Sequence, residues 1–416
     1  MELLIKNARL LGGGISDIAV SGKRILYVGD TPAGFAPQRV IDAAGMICMP
    51  AAVNAHTHAY MTPLRGCADD MPFEKWLFEG VMPREDKMTP DQAYWGAMQA
   101  AAEMIRTGTG TFCDMHMFPG ASASAAQKCG LRAVMTRGLS GPEGGERRIN
   151  EHIAECERFA GCERITFMLG PHSIYTCDEE YLKRILHLAG ELGQGIHIHL
   201  SESVSEFENC LRVHGCTPTE YLSGLGMLSG KTLAAHCVQL TDTDIALLAE
   251  SGTSVALCPK SNLKLGNGFA PAKKLLDAGV NLCIGTDSAA SNNSLNMFSE
   301  MNFTSLIHKG VCRDSTAISA REVMAFATEN GAKALGYGDL GRIEPGYLAD
   351  IALIDTRAPH MNPCADPASA ICYSANGSET DTLIVNGEIL MEGGRLLTID
   401  EEELFFNIKR ISKELG

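Results

Sequence analysis

Residues 46–58 read MICMPAAVNAHTH, an apolar run closed by two histidines one residue apart, His56 and His58. Successive side chains of a strand alternate faces, so both imidazoles point the same way and can hold one ion between them. Further runs of the same kind follow: GTGTFCDMH, RAVMTRGL, RITFMLGPH, GQGIHIHLSE, KTLAAHC, GTSVALCP and NLCIGTDS. Each is a short stretch of Val, Ile, Leu, Phe, Ala or Cys preceded by Gly or a polar residue. Between them lie segments with helical spacing, among them PDQAYWGAMQAAAEMIRTG, ERRINEHIAECERFA, DEEYLKRILHLAGELG and DTDIALLAESG. Eight strands apolar on both faces, alternating with amphipathic helices, predict an α/β fold, a parallel (β/α)8 TIM barrel over residues 51–340. A doubly wound open sheet would not need eight units.

The polar residues fall at the C-terminal ends of these runs: His56 and His58, Asp114 and His116, Arg137, His172, His199, His236 and Asp287. Barrel active sites are built from those ends, so residues far apart in sequence are expected to converge there. Outside the barrel, residues 1–50 (LLIKNARLL, DIAVSGKRILYVGD, RVIDAAGMI) and 341–395 (GRIEPGYLADIALID, DTLIVNGEILMEGG) alternate like short antiparallel strands. Residues 1–50 and 341–416 together predict one small β-sandwich beside the barrel. The tail after Thr398, acidic in its first turn and basic in its last, reads as a terminal helix.

A chain of 416 residues is long enough for such a barrel and a smaller unit. The net charge of −15, with no long basic block, argues against nucleic acid or acidic membranes as partners. No stretch approaches the roughly 20 apolar residues of a membrane span, and MELLIKNARLLGGG lacks the halves of a signal peptide, so a cytoplasmic protein is expected. The 15 cysteines are odd in number and form no C-x-x-C pair, which points to reduced thiols.

A catalytic metal of the zinc type needs three or four N or O ligands and an open position for water. His56, His58, His199 and Asp287 would supply those ligands. Glu202, three residues after His199, would act beside the metal as a general base that later becomes a general acid. His236 would stabilise the charge that develops on the attacking oxygen. Zinc, iron and manganese all accept such a set, so Zn²⁺ is expected with Fe²⁺ or Mn²⁺ as alternatives.

The stretches N-A-H-T-H, H-x-H-x-S-E at His197 to Glu202, A-A-H-C, C-P-K-S-N-L-K-L-G-N-G, G-T-D-S-A-A-S-N-N-S-L-N and G-R-I-E-P-G-Y-L-A-D-I resemble the amidohydrolase superfamily over nearly the whole chain. Within it the likeness is to the S-adenosylhomocysteine and 5′-methylthioadenosine deaminases, cousins of the triazine chlorohydrolases. The resemblance implies one metal rather than two, because the fourth strand ends in Gly-Pro-His172 where binuclear members carry a bridging lysine. It also implies a small nucleoside substrate and a homo-oligomer. Glu85 matches a glutamate that binds ribose hydroxyls, Arg137 and Arg148 match a pair that holds an amino-acid carboxylate, and His172 matches a histidine bonded to a purine nitrogen. Trp76 would form an apolar wall.

Each substrate residue has a plainer reading. A solvated loop acid serves for Glu85, surface cations for the arginines and a core aromatic for Trp76. Arg147 leaves the arginine register open, His116 has no assigned role, and Ser288 replaces a glycine usual after the metal-binding aspartate. The expected activity is hydrolytic deamination of a 6-aminopurine nucleoside. Alternatives are a mononuclear relative acting on guanine, cytosine or a triazine, or a binding protein on a degenerate barrel, which would not need Glu202.

Overall fold

The computed structural model describes residues 1–416 except 33, 142 and 416. All eight apolar runs form strands: β1 (Ala52–His58), β2 (Thr109–His116), β3 (Arg132–Leu139), β4 (Ile165–Pro171), β5 (Ile196–Leu200), β6 (Thr232–His236), β7 (Ser254–Leu257), and, from the last run, β8 (Leu282–Ile284) and β9 (Asp287–Ser288). They make one nine-stranded parallel sheet in the order β8-β7-β6-β5-β4-β3-β2-β1-β9. β8 pairs with β7 at Leu282 and Val255, whereas β9, two residues on, pairs with β1 at Asp287 and Thr57. The sheet therefore curls round as a TIM-like barrel.

Gly285 lies where that run changes partner. A Cβ there would stand 2.7 Å from both the Cβ and the carbonyl oxygen of His56, so only glycine lets the two backbones approach this closely. Helices cover the strands as their spacing predicts. Pro90–Arg106 starts at a capping box between Thr89 and Gln92, and Glu179–Leu192 starts at Asp178 and ends at Gly193, whose φ is +65°. Phe112, Met135, Leu169 and Ile198 of the strands pack with Ala101, Ile105, Leu182 and Ile185 of these helices in one core.

The flanking segments, expected as a small β-sandwich, share a single sheet of nine strands. Its main path runs Arg395–Leu396, Glu388–Glu392, Thr380–Val385, Ile351–Asp355, Met46–Pro50, Glu2–Leu10, Ile15–Ser21, Arg24–Gly29. Pairing is not antiparallel throughout: Arg39–Asp42 and Met46–Pro50 both run parallel to Glu2–Leu10. The chain has already used the other edge of Glu2–Leu10 for the hairpin partner Ile15–Ser21, so it returns on the free edge.

MICMPAAVNAHTH itself divides at Ala51, with Met46–Pro50 in the flanking sheet and Ala52–His58 in the barrel. Alternation then gives each flanking strand two duties. Ile47, Met49, Ala352, Ile354, Leu383 and Val385 pack into the barrel's core, while Cys48, Ile351, Leu353 and Ile384 pack into a smaller core with Leu3, Ile5 and Ile18.

The terminal helix spans Glu401–Leu415 and buries Leu404 and Ile411. It docks on Pro90–Arg106 through Arg410 to Asp91 at 2.7 Å and Gln92 to Glu414 at 2.8 Å. Among the described residues no helix is long and apolar enough to cross a membrane, and the 15 cysteines are free thiols.

Candidate active site

The barrel brings His56, His58, His199, His236 and Asp287 to one point. His56 Nε2 and His58 Nε2 stand 3.5 and 3.4 Å from Asp287 Oδ1, and His58 Nε2 is 3.3 Å from His199 Nε2. Two overlapping ligand sets, His56 with His58 and His199, and His56 with His236 and Asp287, each gather their donor atoms within 4.8 Å. His236 and Asp287 have φ of +74° and +58°, a region that non-glycine residues rarely occupy and that clusters at functional sites.

The second nitrogen of each ring is tied down. His58 Nδ1 donates to the Met115 carbonyl at 2.9 Å and His199 Nδ1 to the His172 carbonyl at 3.0 Å. A carbonyl only accepts, so both hydrogens sit on Nδ1 and both Nε2 lone pairs face each other across the site. Burial pushes the His56 imidazole down to about 4, and its Nε2 is buried without a hydrogen-bond partner. Burial works against the Asp287 carboxylate too, but His56, His236 and His58 hold it well below the usual range. Neutral imidazoles with inward lone pairs and one ionised carboxylate fit a divalent cation.

Glu202 is placed beside this set and outside both ligand groups. Its Oε1 accepts from Asn267 Nδ2 at 3.1 Å and its Oε2 is 3.8 Å from His236 Nε2. Burial raises the Glu202 carboxyl above its ordinary value, with His236 opposing. His236 Nδ1 faces Asn262 Oδ1 at 2.9 Å. Burial disfavours the His236 cation, yet Glu202, Asp287 and Asn262 outweigh it and raise the imidazole's pKa.

Above the cluster opens a cavity of about 300 Å³, within the size range of small-molecule sites. Glu85, Arg137, Arg148, His172 and Trp76 all line it. Burial, and then Asp86, push the Glu85 carboxyl up to about 7 against the pull of Arg137, and Tyr60 Oη donates to it. Burial takes the His172 imidazole down to about 4, and its Nδ1 faces Thr176 Oγ1 at 3.0 Å. Trp76 is buried, its Nε1 donating to the Ala290 carbonyl at 3.3 Å.

Arg148 lies in the first turn of the helix Gly145–Arg158, which the chain enters through Gly144 at φ +74°. Arg147 is exposed and pairs with Glu151, and only Arg148 of the two reaches this cavity. Ser288 lines the cavity, and its Oγ accepts from Ser291 N at 3.0 Å as the cap of the turn Ala289–Asn292. His116 lines the cavity with its ring 3.7 Å from that of Tyr60.

Several supporting residues had no signal that singled them out: Asn262 and Asn267 lie in CPKSNLKLGNG, and Ser261 and Ser291 both donate to Asp287 Oδ2. Asp114, marked by its place at a strand end, accepts from Ala59 N at 2.7 Å through Oδ1. His197 was within reach of strand alternation. It lies two residues before His199 and its Nε2 is 2.9 Å from His56 Nδ1.

Fold and site together define a metal-dependent hydrolase on a barrel. Residues 47–390 match the amidohydrolase family, and the chain belongs to that family. It is 45% identical, over 99% of each chain, to the 5-methylthioadenosine/S-adenosylhomocysteine deaminase of Moorella thermoacetica. To the enzyme of the same name from Thermoanaerobacter pseudethanolicus it is 40% identical over 100% of this chain and 99% of the other. Among solved structures, an adenosine deaminase from Xanthomonas campestris with bound zinc superposes with a TM-score of 0.96 at 32% identity, covering 100% and 98% of the two chains.

Proposed function

We propose that the chain is a hydrolytic deaminase of 6-aminopurine nucleosides bearing a 5′-thioether, converting 5′-methylthioadenosine or S-adenosylhomocysteine to the inosine product and ammonia. The observation that carries this reading is Glu202: a buried carboxyl against the ligand cluster but not part of it, held by Asn267 and facing His236. A site that only stored metal would not need it. The names of the relatives supply the substrate class.

His56, His58, His199 and Asp287 would hold one divalent ion, which we assign as zinc from the donor set and the zinc-bound relative. When bound, such an ion supplies Lewis acidity that makes water nucleophilic at neutral pH. Glu202 takes a proton from the attacking water and delivers it to ring N1 as the oxygen bonds to C6. His236 holds the charge growing on that oxygen. The second proton, still on the oxygen bonded to C6, is then passed to the exocyclic nitrogen, which leaves as ammonia while the C6 carbonyl forms and N1 keeps its hydrogen.

In this reading Glu85 takes a ribose hydroxyl, His172 a purine nitrogen, Trp76 one face of the base, and Arg137 and Arg148 the tail. The same reading takes residues 51–340 as the catalytic unit, residues 1–50 with 341–416 as a smaller β-sandwich unit beside it, and a cytoplasmic homo-oligomer as the working form. Metal-loaded protein given 5′-methylthioadenosine, S-adenosylhomocysteine and adenosine is expected to release ammonia as the ultraviolet spectrum moves from adenine to hypoxanthine. Ammonia from guanine, cytosine or a triazine instead would move the reading to another branch of the family.

A further inference from the structure

Arg137 and Arg148 both reach the active-site cavity, but different groups already hold them. Arg137 Nε donates to Glu151 Oε2 at 3.1 Å, its Nη2 lies 3.1 Å from the same oxygen, and its Nη1 donates to the Gly138 carbonyl at 2.8 Å. The charge of Arg137 therefore already faces a carboxylate along one edge of the guanidinium. Arg148 Nη1 is held by two neutral acceptors, the carbonyls of Ser140 at 2.6 Å and Glu143 at 2.7 Å. Among the described residues, no carboxylate stands within ion-pair distance of Arg148.

The helix Gly145–Arg158 produces this asymmetry. Arg147 and Glu151 are four residues apart and share a face, where Arg147 Nη1 donates to Glu151 Oε1 at 2.6 Å. That face turns toward a groove on the outer side of Arg137, lined by Arg147, Glu151, Glu155 and Arg158. Arg137, itself almost wholly buried, lines both groove and cavity, as does Arg148, whereas Glu151 lines the groove alone. Glu151 thus sits on the outer edge of the guanidinium that a substrate carboxylate would approach from within.

We propose that Glu151 sets the tail specificity of the site, partly neutralising Arg137 so that a nucleoside with an uncharged 5′-thioether is favoured over one whose thioether carries a carboxylate. The inference rests on the nucleoside deaminase reading above. An arginine grips a carboxylate best when two parallel N–H groups are free and its charge is uncompensated. Here one edge is taken, and a second anion drawn to Arg137 meets the repulsion of the first. Glu151 divides its charge between Arg137 and Arg147, so it compensates Arg137 in part, and Arg148 is the arginine of that wall with no carboxylate partner among the described residues. The half-exposed position of Glu151 means that salt screens its influence.

The test compares kcat/KM for 5′-methylthioadenosine with that for S-adenosylhomocysteine and for 5′-(2-carboxyethylthio)adenosine, which has the carboxylate without the ammonium. Glu151→Gln is expected to raise the ratio of carboxylate substrates to methylthioadenosine about tenfold at low salt, and the gain is expected to shrink as salt rises. Partial misfolding lowers every rate on the same sample and leaves the ratio untouched. Glu151→Ala, expected to act in the same direction, keeps the test open if the Gln variant does not fold. A ratio that stays constant or falls in the folded variant overturns the inference, a fall meaning that Glu151 holds Arg137 in place for the carboxylate. If the unaltered protein deaminates none of the three nucleosides, the deaminase reading is what has failed.

Discussion

His58 Nε2 and His199 Nε2 stand 3.3 Å apart while each ring donates its Nδ1 hydrogen to a main-chain carbonyl. Two lone pairs held face to face by the backbone repel unless a cation lies against them. A cation bound between them would relieve that repulsion and so stabilise the folded chain. Chelation is expected to lower the melting temperature as well as abolish activity, and zinc should restore both. A metal at 100 times its dissociation constant adds about 2.7 kcal/mol by mass action. Calorimetry with and without chelator measures this, and an unchanged melting temperature would count against the ligand assignment. His58→Ala and His199→Ala are each expected to lose metal on dialysis.

Glu202 approaches the same cluster without belonging to either ligand group. Glu202→Gln keeps the side-chain volume and the contact with Asn267 but removes the proton acceptor. Deaminase turnover is expected to fall by ~10²–10⁴ while metal content, read on the same sample by atomic absorption, stays that of the parent. A variant that also loses its metal would make Glu202 a ligand.

How much of this site was readable in sequence follows from the fold. Parallel barrel strands are buried on both faces, so they appear as unbroken apolar runs, and their ends mark the mouth. His56, His58, Glu202, His236 and Asp287 were legible for that reason. Asn262, Asn267 and Ser261 were not, because small polar residues are common in any loop and only the closed barrel brings Asn262 to His236. The parallel entry of Arg39–Asp42 was hidden for a related reason: alternation reveals that a strand is half-buried, not which neighbour it pairs with.

Gly285 shows how tightly the ligand geometry depends on the backbone. Gly285→Ala would put a methyl group 2.7 Å from the His56 backbone and Cβ, and neither can move without opening the contact between β9 and β1. A loss of about 1–3 kcal/mol in urea unfolding is expected from overpacking, with weakened metal retention. Full stability and full metal content in the variant would mean that the strand relaxes more freely than this packing allows.

The acid side of the stability profile has a contributor remote from the metal cluster. Burial pushes the His308 imidazole, on the helix Met297–Cys312, down to about 4. The folded value lies below the ordinary 6.5, so between the two the unfolded chain binds more protons. The stabilisation is present above about 6.5 and is lost as pH falls toward 4. Its ceiling is about 3 kcal/mol, from 1.36 kcal/mol per pKa unit. His308→Leu should flatten the fall in unfolding free energy across that window, while a parallel fall in both proteins would place the acid sensitivity elsewhere.

Barrel and flanking sheet meet at a buried ion pair. Arg132 opens β3 and places Nε 3.0 Å from Asp350 Oδ2 and Nη2 3.1 Å from Oδ1, with both side chains almost fully buried. Asp350 Oδ1 also accepts from Asn386 N at 2.7 Å, and the guanidinium lies 5.4 Å from the ring centre of Tyr337. Removing one partner leaves the other charged and out of water, so Asp350→Ala should cost about 3–5 kcal/mol. Replacing both, as Arg132→Met with Asp350→Ala, should recover a large part of that loss, because the cost lies in the orphaned charge rather than in the lost attraction. Urea unfolding of the two single variants and the double variant measures the coupling. If the double variant is as unstable as Asp350→Ala alone, the loss comes instead from the Asn386 main-chain hydrogen bond, and Asp350 acts chiefly as the clasp of the Asn386 turn.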